Sequence, residues 1–440
     1  MFKTLKNAWG IPELKKKLLF TLLIIFLYRL GANIPVPYLD PSITGGVLAQ
    51  YGGTILDFLN ILSGDALSRA TLLALGVSPY ITASIVMQLL TIAIPALERL
   101  SKEGDEGKKK ITAITRIVTV ALALITSIGY AFFLNANEML KVEPNFFRYM
   151  VIVACYCAGA ALVMWMAEKI NDHGIGNGIS IILFANIIAG AFSMAGTMWR
   201  QIFTLGGFSG FDWVGLIITI VEIICIIGII MLIVWMSDAE RRIPIQYAKR
   251  VVGRKMYGGQ NTNLPIKVNM SGVMPIIFSN SIVAIPATIA TLFISNQENW
   301  FVKFINNWFN YNTWPYLIVF LVLLLLFAFF YIAISFNPVE VSNNLRNNGG
   351  AIPGIRPGKP TVDYIKKILN RITLLGAIFL CGLSGLPMIV NAIWYAIDGV
   401  GISDLAFSGT SLLIVVGVAL ETFRELEAQM TLRNYKGFLD

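Results

Sequence analysis

The stretch that decides the fold runs from Gly52 to Leu90. It opens as Gly52-Gly53-Thr54-Ile55-Leu56-Asp57-Phe58-Leu59-Asn60-Ile61-Leu62-Ser63-Gly64-Asp65 and continues as an apolar run from Thr71 to Ile94. The first part is apolar enough for bilayer depth, yet only about ten residues long, where a spanning helix needs about 20. Thr54 followed by Asp57 reads as a helix N-terminal cap, and Gly64 reads as a terminator. The pattern predicts a short helix, a break and then a full-length span. Hydrocarbon offers no partners for unpaired backbone groups, so a half-helix at that depth must be covered by protein or face a cavity. The short helix therefore predicts an enclosure around itself.

Composition carries the same message for the whole chain. Its 440 residues are 56% hydrophobic and 13% charged, with a mean hydropathy of +0.71, against roughly 25% charged in soluble domains. Such a chain is a polytopic membrane protein. The start, Met1 to Lys17, is basic but lacks the short apolar core and small-residue cleavage site of a signal peptide, so no cleavable leader is expected. Cys155, Cys157, Cys225 and Cys381 all fall within apolar runs, where a free thiol packs as a small hydrophobe; neither a disulfide nor a zinc site is expected. The single His173 also argues against a His-based metal centre. No metal and no cofactor is expected.

Ten apolar runs are counted, at roughly 18–36, 72–94, 117–135, 149–168, 179–199, 214–236, 272–294, 314–336, 372–395 and 405–423. The expected fold class is therefore an all-α polytopic membrane protein. The connections alternate sharply in charge. Lys3, Lys6, Lys15, Lys16 and Lys17 precede the first span; Arg99, Lys102, Lys108, Lys109, Lys110 and Arg116 join the second to the third. Further clusters lie at 237–271, at 337–371 and in the tail, so about 28 of the 34 Lys and Arg fall on one side. The positive-inside rule makes that side cytoplasmic, with both termini inside. Ten spans divide as five plus five, and the second set starts on the opposite side from the first. That is the arrangement of an inverted repeat, with a functional path between the halves. The join, Leu205-Gly206-Gly207-Phe208-Ser209-Gly210, reads equally as an external hinge or an ordinary flexible connection.

Within the second span, Gly76 and Pro79 loosen the start, and Thr82, Ala83 and Ser84 permit close helix approach. Ile81 and Ile85 share a face, and Gln88 adds a polar group. Taken alone, these features also fit ordinary packing. Thr71 to Leu90 nevertheless resembles the first signature segment of the SecY/Sec61α family, the central subunit of the protein-conducting translocon. A second segment agrees: Trp165-Met166-Ala167-Glu168-Lys169-Ile170-Asn171-Asp172-His173-Gly174-Ile175-Gly176-Asn177-Gly178-Ile179-Ser180-Ile181-Ile182-Leu183. Arg241-Arg242-Ile243-Pro244 through Lys267-Val268-Asn269-Met270, and Pro353-Gly354-Ile355-Arg356-Pro357-Gly358, resemble the loops of bacterial members. The likeness runs from end to end.

The resemblance implies a clamshell of two inverted five-helix halves, 1–205 and 212–423, around an hourglass pore, with 206–211 as the external hinge and 424–440 as a cytoplasmic tail. It implies a plug at about 54–64, with Asp57, Phe58, Leu59, Asn60, Ile61, Leu62, Ser63 and Gly64 closing the external funnel. By local alignment Ile81, Ile85, Leu183, Ile187, Ile277 and Ile414 correspond to the constriction ring; Leu183 stands where Ile would be typical. An apolar ring suits the implied task, since a narrow apolar throat resists ion leakage by dewetting. Spans 2 and 7 correspond to a lateral gate, and Thr82, Gln88, Ser279, Asn280 and Ser281 are its polar residues. Polar contacts of Asn280 and Ser281 with Thr82 or Gln88 are expected across the closed seam. Pro275 and Pro286 let the seventh span bend.

The basic loops 237–271 and 337–371 suit either topology setting or docking. Prolines and glycines from Pro338 to Pro360 shape a finger that presents Arg356 at its tip. The resemblance implies binding of the ribosome, whose phosphates suit clustered Lys and Arg, or of the SecA ATPase. Arg356 leads that assignment, followed by Arg250, Arg254, Lys249 and Lys359. It also implies SecE and SecG subunits, signal peptides and nascent secretory chains as partners, lipid around the protein, and a bacterial plasma membrane. No enzyme motif stands up: Gly354 to Thr361 has one residue too few between glycines for a P-loop, and Pro360 where Ser or Thr should follow the Lys. The other reading is a secondary transporter, with Arg29 and Glu222 as the intramembrane ionisable groups it would use.

Overall fold

The computed structural model describes residues 2–39, 60, 62–137, 139–140, 145–204, 213–247, 250–252, 255–257, 261–270, 272–291, 300, 304, 308, 314–398 and 409–436. Each of the ten predicted spans lies on a helix. In chain order these are α2 (Pro12–Gly31), α3 (Ser78–Ala93), α5 (Asp105–Ala136), α6 (Phe146–His173), α7 (Gly178–Thr204), α8 (Trp213–Asp238), α9 (Met274–Thr291), α10 (Trp314–Ser335), α12 (Lys359–Asp398) and α13 (Gly409–Lys436). Among the described residues shorter helices also occur at α1 (Phe2–Trp9), α4 (Pro95–Lys102) and α11 (Pro338–Asn347). The hinge expected at 206–211 lies outside the described residues.

Side-chain chemistry sets the outer surface. Leu19, Leu22, Leu23, Phe26, Leu27 and Leu30 of α2 are exposed, as are Ile217, Ile220, Ile224, Ile227 and Met231 of α8. Faces this apolar would drive a water-soluble protein to aggregate; in lipid they are the solvated side. Among the described residues, five helices are long and apolar enough to cross a membrane by that measure alone, or six if α3 and α4 count as one bent span.

The second span departs most from expectation. Its helix starts at Ser78, not near residue 72, because residues 64–77 are folded back as turns. Val36 N donates to Ala70 O (3.0 Å) and Leu72 N to Ile34 O (2.9 Å), so the end of α2 pairs with the approach to α3. Gly76 at φ +54° then redirects the chain into Pro79, which sits in the first turn of α3. At the other end Pro95 forces Ile94 into extended backbone (φ −108°, ψ 113°), and α4 leaves at 101° to α3. Behind these turns α6 comes very close. A Cβ on Gly159 would stand 1.9 Å from the carbonyl oxygen of Leu72, so only glycine admits the approach.

The N-terminal set α2–α7 and the C-terminal set α8–α13 meet where α7 packs on α8 and α13, and where α9 packs on α3 and α5. The main apolar core fills the space between them. A second core lies inside the N-terminal set, around Tyr130, Phe133, Met139 and Tyr156.

The basic loops carry strands that sequence reading did not place. β1 (Glu240–Tyr247) pairs antiparallel with β4 (Asn261–Lys267), and β2 (Arg250–Val252) pairs with β3 (Lys255–Tyr257) between them. β5 (Gly350–Ala351) from the other loop adds to β1, giving the order β4-β1-β5. Ile243 and Ile266 of this sheet pack with Ile352, Ile365 and Leu369, so the two loops share one small core.

Candidate functional site

Four helices converge on the centre. α3 contributes Ile81 and Ile85, and α7 contributes Leu183 and Ile187; each pair is four residues apart and so shares a face. Ile277 comes from α9 and Ile414 from α13. All six side chains are between 1 and 7% exposed and belong to one continuous apolar cluster drawn from both helix sets. None of them offers a hydrogen bond. The arrangement can exclude water and ions while holding no solute in a fixed pose.

Against this cluster sits the end of the predicted short helix. Asn60, Leu62 and Ser63 are helical and Gly64 begins the turn out; Asp57, Phe58, Leu59 and Ile61 lie outside the described residues. Leu62 packs on the central cluster. The exit from the helix is tied into a knot. Asn60 Oδ1 accepts from Ser68 N (2.9 Å), and Asn60 Nδ2 donates to Asp65 Oδ1 (3.1 Å). Ser63 Oγ donates to Asn60 O (2.8 Å) and accepts from Leu67 N (3.2 Å). Gly64 at φ +67° and Asp65 at φ +64° make the reversal. From α5, Tyr130 Oη donates to Leu67 O (2.9 Å).

Two groups that sequence reading had not placed here reach the same turn. Arg29 of α2, half-buried, donates to Gly64 O (3.4 Å) and to Ala185 O of α7. Asn186 of α7, fully buried, donates from Nδ2 to Leu62 O (2.7 Å) and to Tyr28 Oη (2.9 Å). Arg29 was visible only as an intramembrane charge, and Asn186 as a lone amide in an apolar run beside Ile187. Neither sequence signal names Leu62 or Gly64 as the target.

The seam between α3 and α9 corrects an expectation. Thr82 uses its hydroxyl on Ser78 O of its own helix (3.0 Å), and Gln88 is exposed. Ser279, buried, donates to Pro275 O (2.7 Å). Asn280 is buried with Nδ2 lacking a partner, and Ser281 is half-buried. No hydrogen bond between Asn280 or Ser281 and Thr82 or Gln88 occurs among the described residues. The reason is local: Ser and Thr in helices satisfy their hydroxyls on the carbonyl four residues back. α3 and α9 pack on each other, with Ile81 and Ile85 of α3 and Ile276 and Ile277 of α9 in the same apolar core, while Phe278 meets Phe327 and Tyr331 of α10 edge-on.

On the basic face Arg356 is exposed in the turn from Pro353 to Gly358, which is braced by Ile355 N on Ile352 O (3.0 Å) and Thr361 Oγ1 on Arg356 O (2.9 Å). Lys359 is exposed beside it at the start of α12. Arg250 lies in β2; Lys249 and Arg254 lie outside the described residues. Lys267 is held below the ordinary lysine range, first by burial and then by the neighbouring Arg424, against the pull of Asp238, Glu240 and Glu421. Arg424 itself donates to Ser237 O (2.9 Å) and pairs with Asp238, fastening α13 to the end of α8. Among the described residues no group of three or more His, Cys, Asp or Glu converges to hold a metal ion.

Comparison with known proteins points to one family. The SecY family model matches residues 71–423. The protein translocase subunit SecY of Streptomyces coelicolor is 42% identical over 453 residues, covering 100% of both chains. That of Thermus thermophilus is 42% identical over 445 residues, covering 100% of this chain and 98% of its own. Among solved structures, a protein-conducting channel superposes with a TM-score of 0.63 at 16% identity, covering 96% of each chain. A SecY structure whose plug domain is described as stabilising the closed state superposes with a TM-score of 0.66 at 17% identity over 96% of each chain. With the SecY model matching residues 71–423 and full-length relatives at 42% identity, the chain belongs to the SecY family.

Proposed function

We propose that this chain is the pore of a protein translocase, which passes unfolded polypeptides across a membrane and releases apolar segments sideways into lipid. The observation that carries the reading is the main apolar core, which draws on both helix sets, includes all six of the expected ring side chains and has Leu62 of the short helix packed on it. A fixed polar site would trap particular segments of a passing chain, whereas an apolar constriction tolerates any sequence and still resists ions when closed. In this reading Ile81, Ile85, Leu183, Ile187, Ile277 and Ile414 form the ring and residues 57–64 the plug. The seam between α3 and α9 is the lateral gate.

The basic face supports the rest of the assignment. Its exposed cations, led by Arg356, suit a partner rich in phosphate or carboxylate. The ribosome and the SecA ATPase fit that description, and SecE and SecG complete the complex. The excess of Lys and Arg on one side supports a cytoplasmic position for that face and both termini, and the family likeness supports a bacterial plasma membrane. The chain acts as a passive pore, with energy supplied by the partner. A transporter reading loses its best candidate, because Arg29 is engaged by backbone carbonyls.

The test is conductance of the reconstituted complex in planar bilayers, intact and lacking residues 57–64. A silent intact protein and a leaky deletion are expected. Silence in both, with the deletion variant folded, overturns the plug assignment.

A further inference from the structure

The polar groups around Gly64 border the apolar ring but differ from it in chemistry: they hold the turn by hydrogen bonds to its backbone, leaving Asn186 Oδ1 without a partner. We propose that Tyr28, Arg29 and Asn186 form a clasp that grips the last turn of the short helix and sets its closed position, with Arg29 and Asn186 as positioning residues for closure. The inference rests on reading residues 57–64 as a plug.

The clasp grips backbone only. The last carbonyls of any helix lack intrahelical partners, and here Leu62 O and Gly64 O receive donors from two other helices. Arg29 presents donors to Gly64 O on one side and to Ala185 O on the other, so the guanidinium bridges the turn to α7. A planar fork suits two acceptors at a fixed spacing, which a lysine cannot match. Asn186 uses both amide protons, one on Leu62 O and one on Tyr28 Oη. A leucine there would keep the volume and lose both bonds.

Gly64 completes the fit. A Cβ at that position would lie 2.7 and 2.9 Å from the two terminal guanidinium nitrogens of Arg29 and 3.1 Å from Asn186 Oδ1. The clasp is therefore closed around a glycine, and a side chain there would have to displace the tip of Arg29. Its α7 members also sit among ring residues: Ala185 and Asn186 fall between Leu183 and Ile187 on one turn. A polypeptide that displaces the ring side chains of α7 moves the posts that hold the short helix. Opening of the ring and release of the plug are thereby coupled through α7.

The test uses the reconstituted complex in planar bilayers, carrying Asn186→Leu, Arg29→Met or Arg29→Lys, each with residues 57–64 present or deleted and each checked for folding by thermal melting. With the segment present, Asn186→Leu is expected to raise the resting open probability about tenfold. Arg29→Met should raise it further, and Arg29→Lys less. With the segment deleted, Asn186→Leu should add nothing, since the group it holds is gone. Silent Asn186→Leu and Arg29→Met proteins beside a leaky deletion overturn the clasp and leave the plug standing. Equal added leakage in both backgrounds overturns it too, by showing that Asn186 acts on the ring. A silent deletion overturns the plug reading and the clasp with it.

Discussion

The turn after the short helix and the seam between α3 and α9 both border the main apolar core, and they are held by different means. The turn is bound by directed hydrogen bonds to Arg29, Asn186, Ser63 and Asn60. The seam rests on apolar packing of α3 against α9; each region leaves one buried amide atom without a partner, Asn280 Nδ2 here and Asn186 Oδ1 at the turn. The difference follows from what each must do on release. A segment that moves into water exchanges its hydrogen bonds for new ones, so polar fastening costs little to undo. A seam that opens to lipid finds no such replacement, and polar bridges across it would hold it shut. Apolar packing lets lipid or an apolar segment take the place of the partner helix.

Three substitutions sharpen or break this contrast. The largest effect is expected from Gly64→Ala, which places a Cβ on the Arg29 guanidinium and puts a side chain at φ +67°. The left-handed conformation alone costs about 1–2 kcal/mol. Ion leakage in planar bilayers should rise strongly, while a tight channel would show that the turn tolerates what the clasp forbids. Next comes Asn280→Leu, which removes an unpaired buried amide at nearly constant volume. It should strengthen the closed seam by about 1 kcal/mol and lower export of precursors with weak signal sequences. Unchanged or relaxed selectivity would mean that the amide finds a partner in the closed gate. The smallest is Thr82→Val, whose hydroxyl is engaged within α3. A change within about 0.5 kcal/mol is expected by thermal melting, and a large loss would reveal a bond across the seam.

Sequence made the ten helices legible because long apolar runs and alternating loop charge are strong local signals. It failed where the deciding partner is distant. The start of α3 is delayed to Ser78 by pairing of Ile34 and Val36 with Leu72 and Ala70, which no local pattern shows. The β1–β4 pairing was hidden by Arg241 and Arg242, although Ile243 and Ile245 already alternate with exposed Arg242, Pro244 and Gln246 in β1. The ring residues were named through family likeness, since an isoleucine in a pore and one in a core look alike in a sequence. Asn186 was missed for a different reason: its acceptor, Leu62 O, lies 124 residues away.

The central claim is that a translocating polypeptide passes through the ring formed by α3, α7, α9 and α13. The direct measurement is site-specific disulfide cross-linking to a secretory chain stalled in transit, in a variant with its four native cysteines replaced. Probes would replace Ile85, Ile187, Ile277 and Ile414 in turn, with the exposed residues Leu23 and Ile224 as controls. The account expects adducts at all four ring positions and none at the controls. A chain that is exported while cross-linking at the controls, or at no ring position, would contradict it.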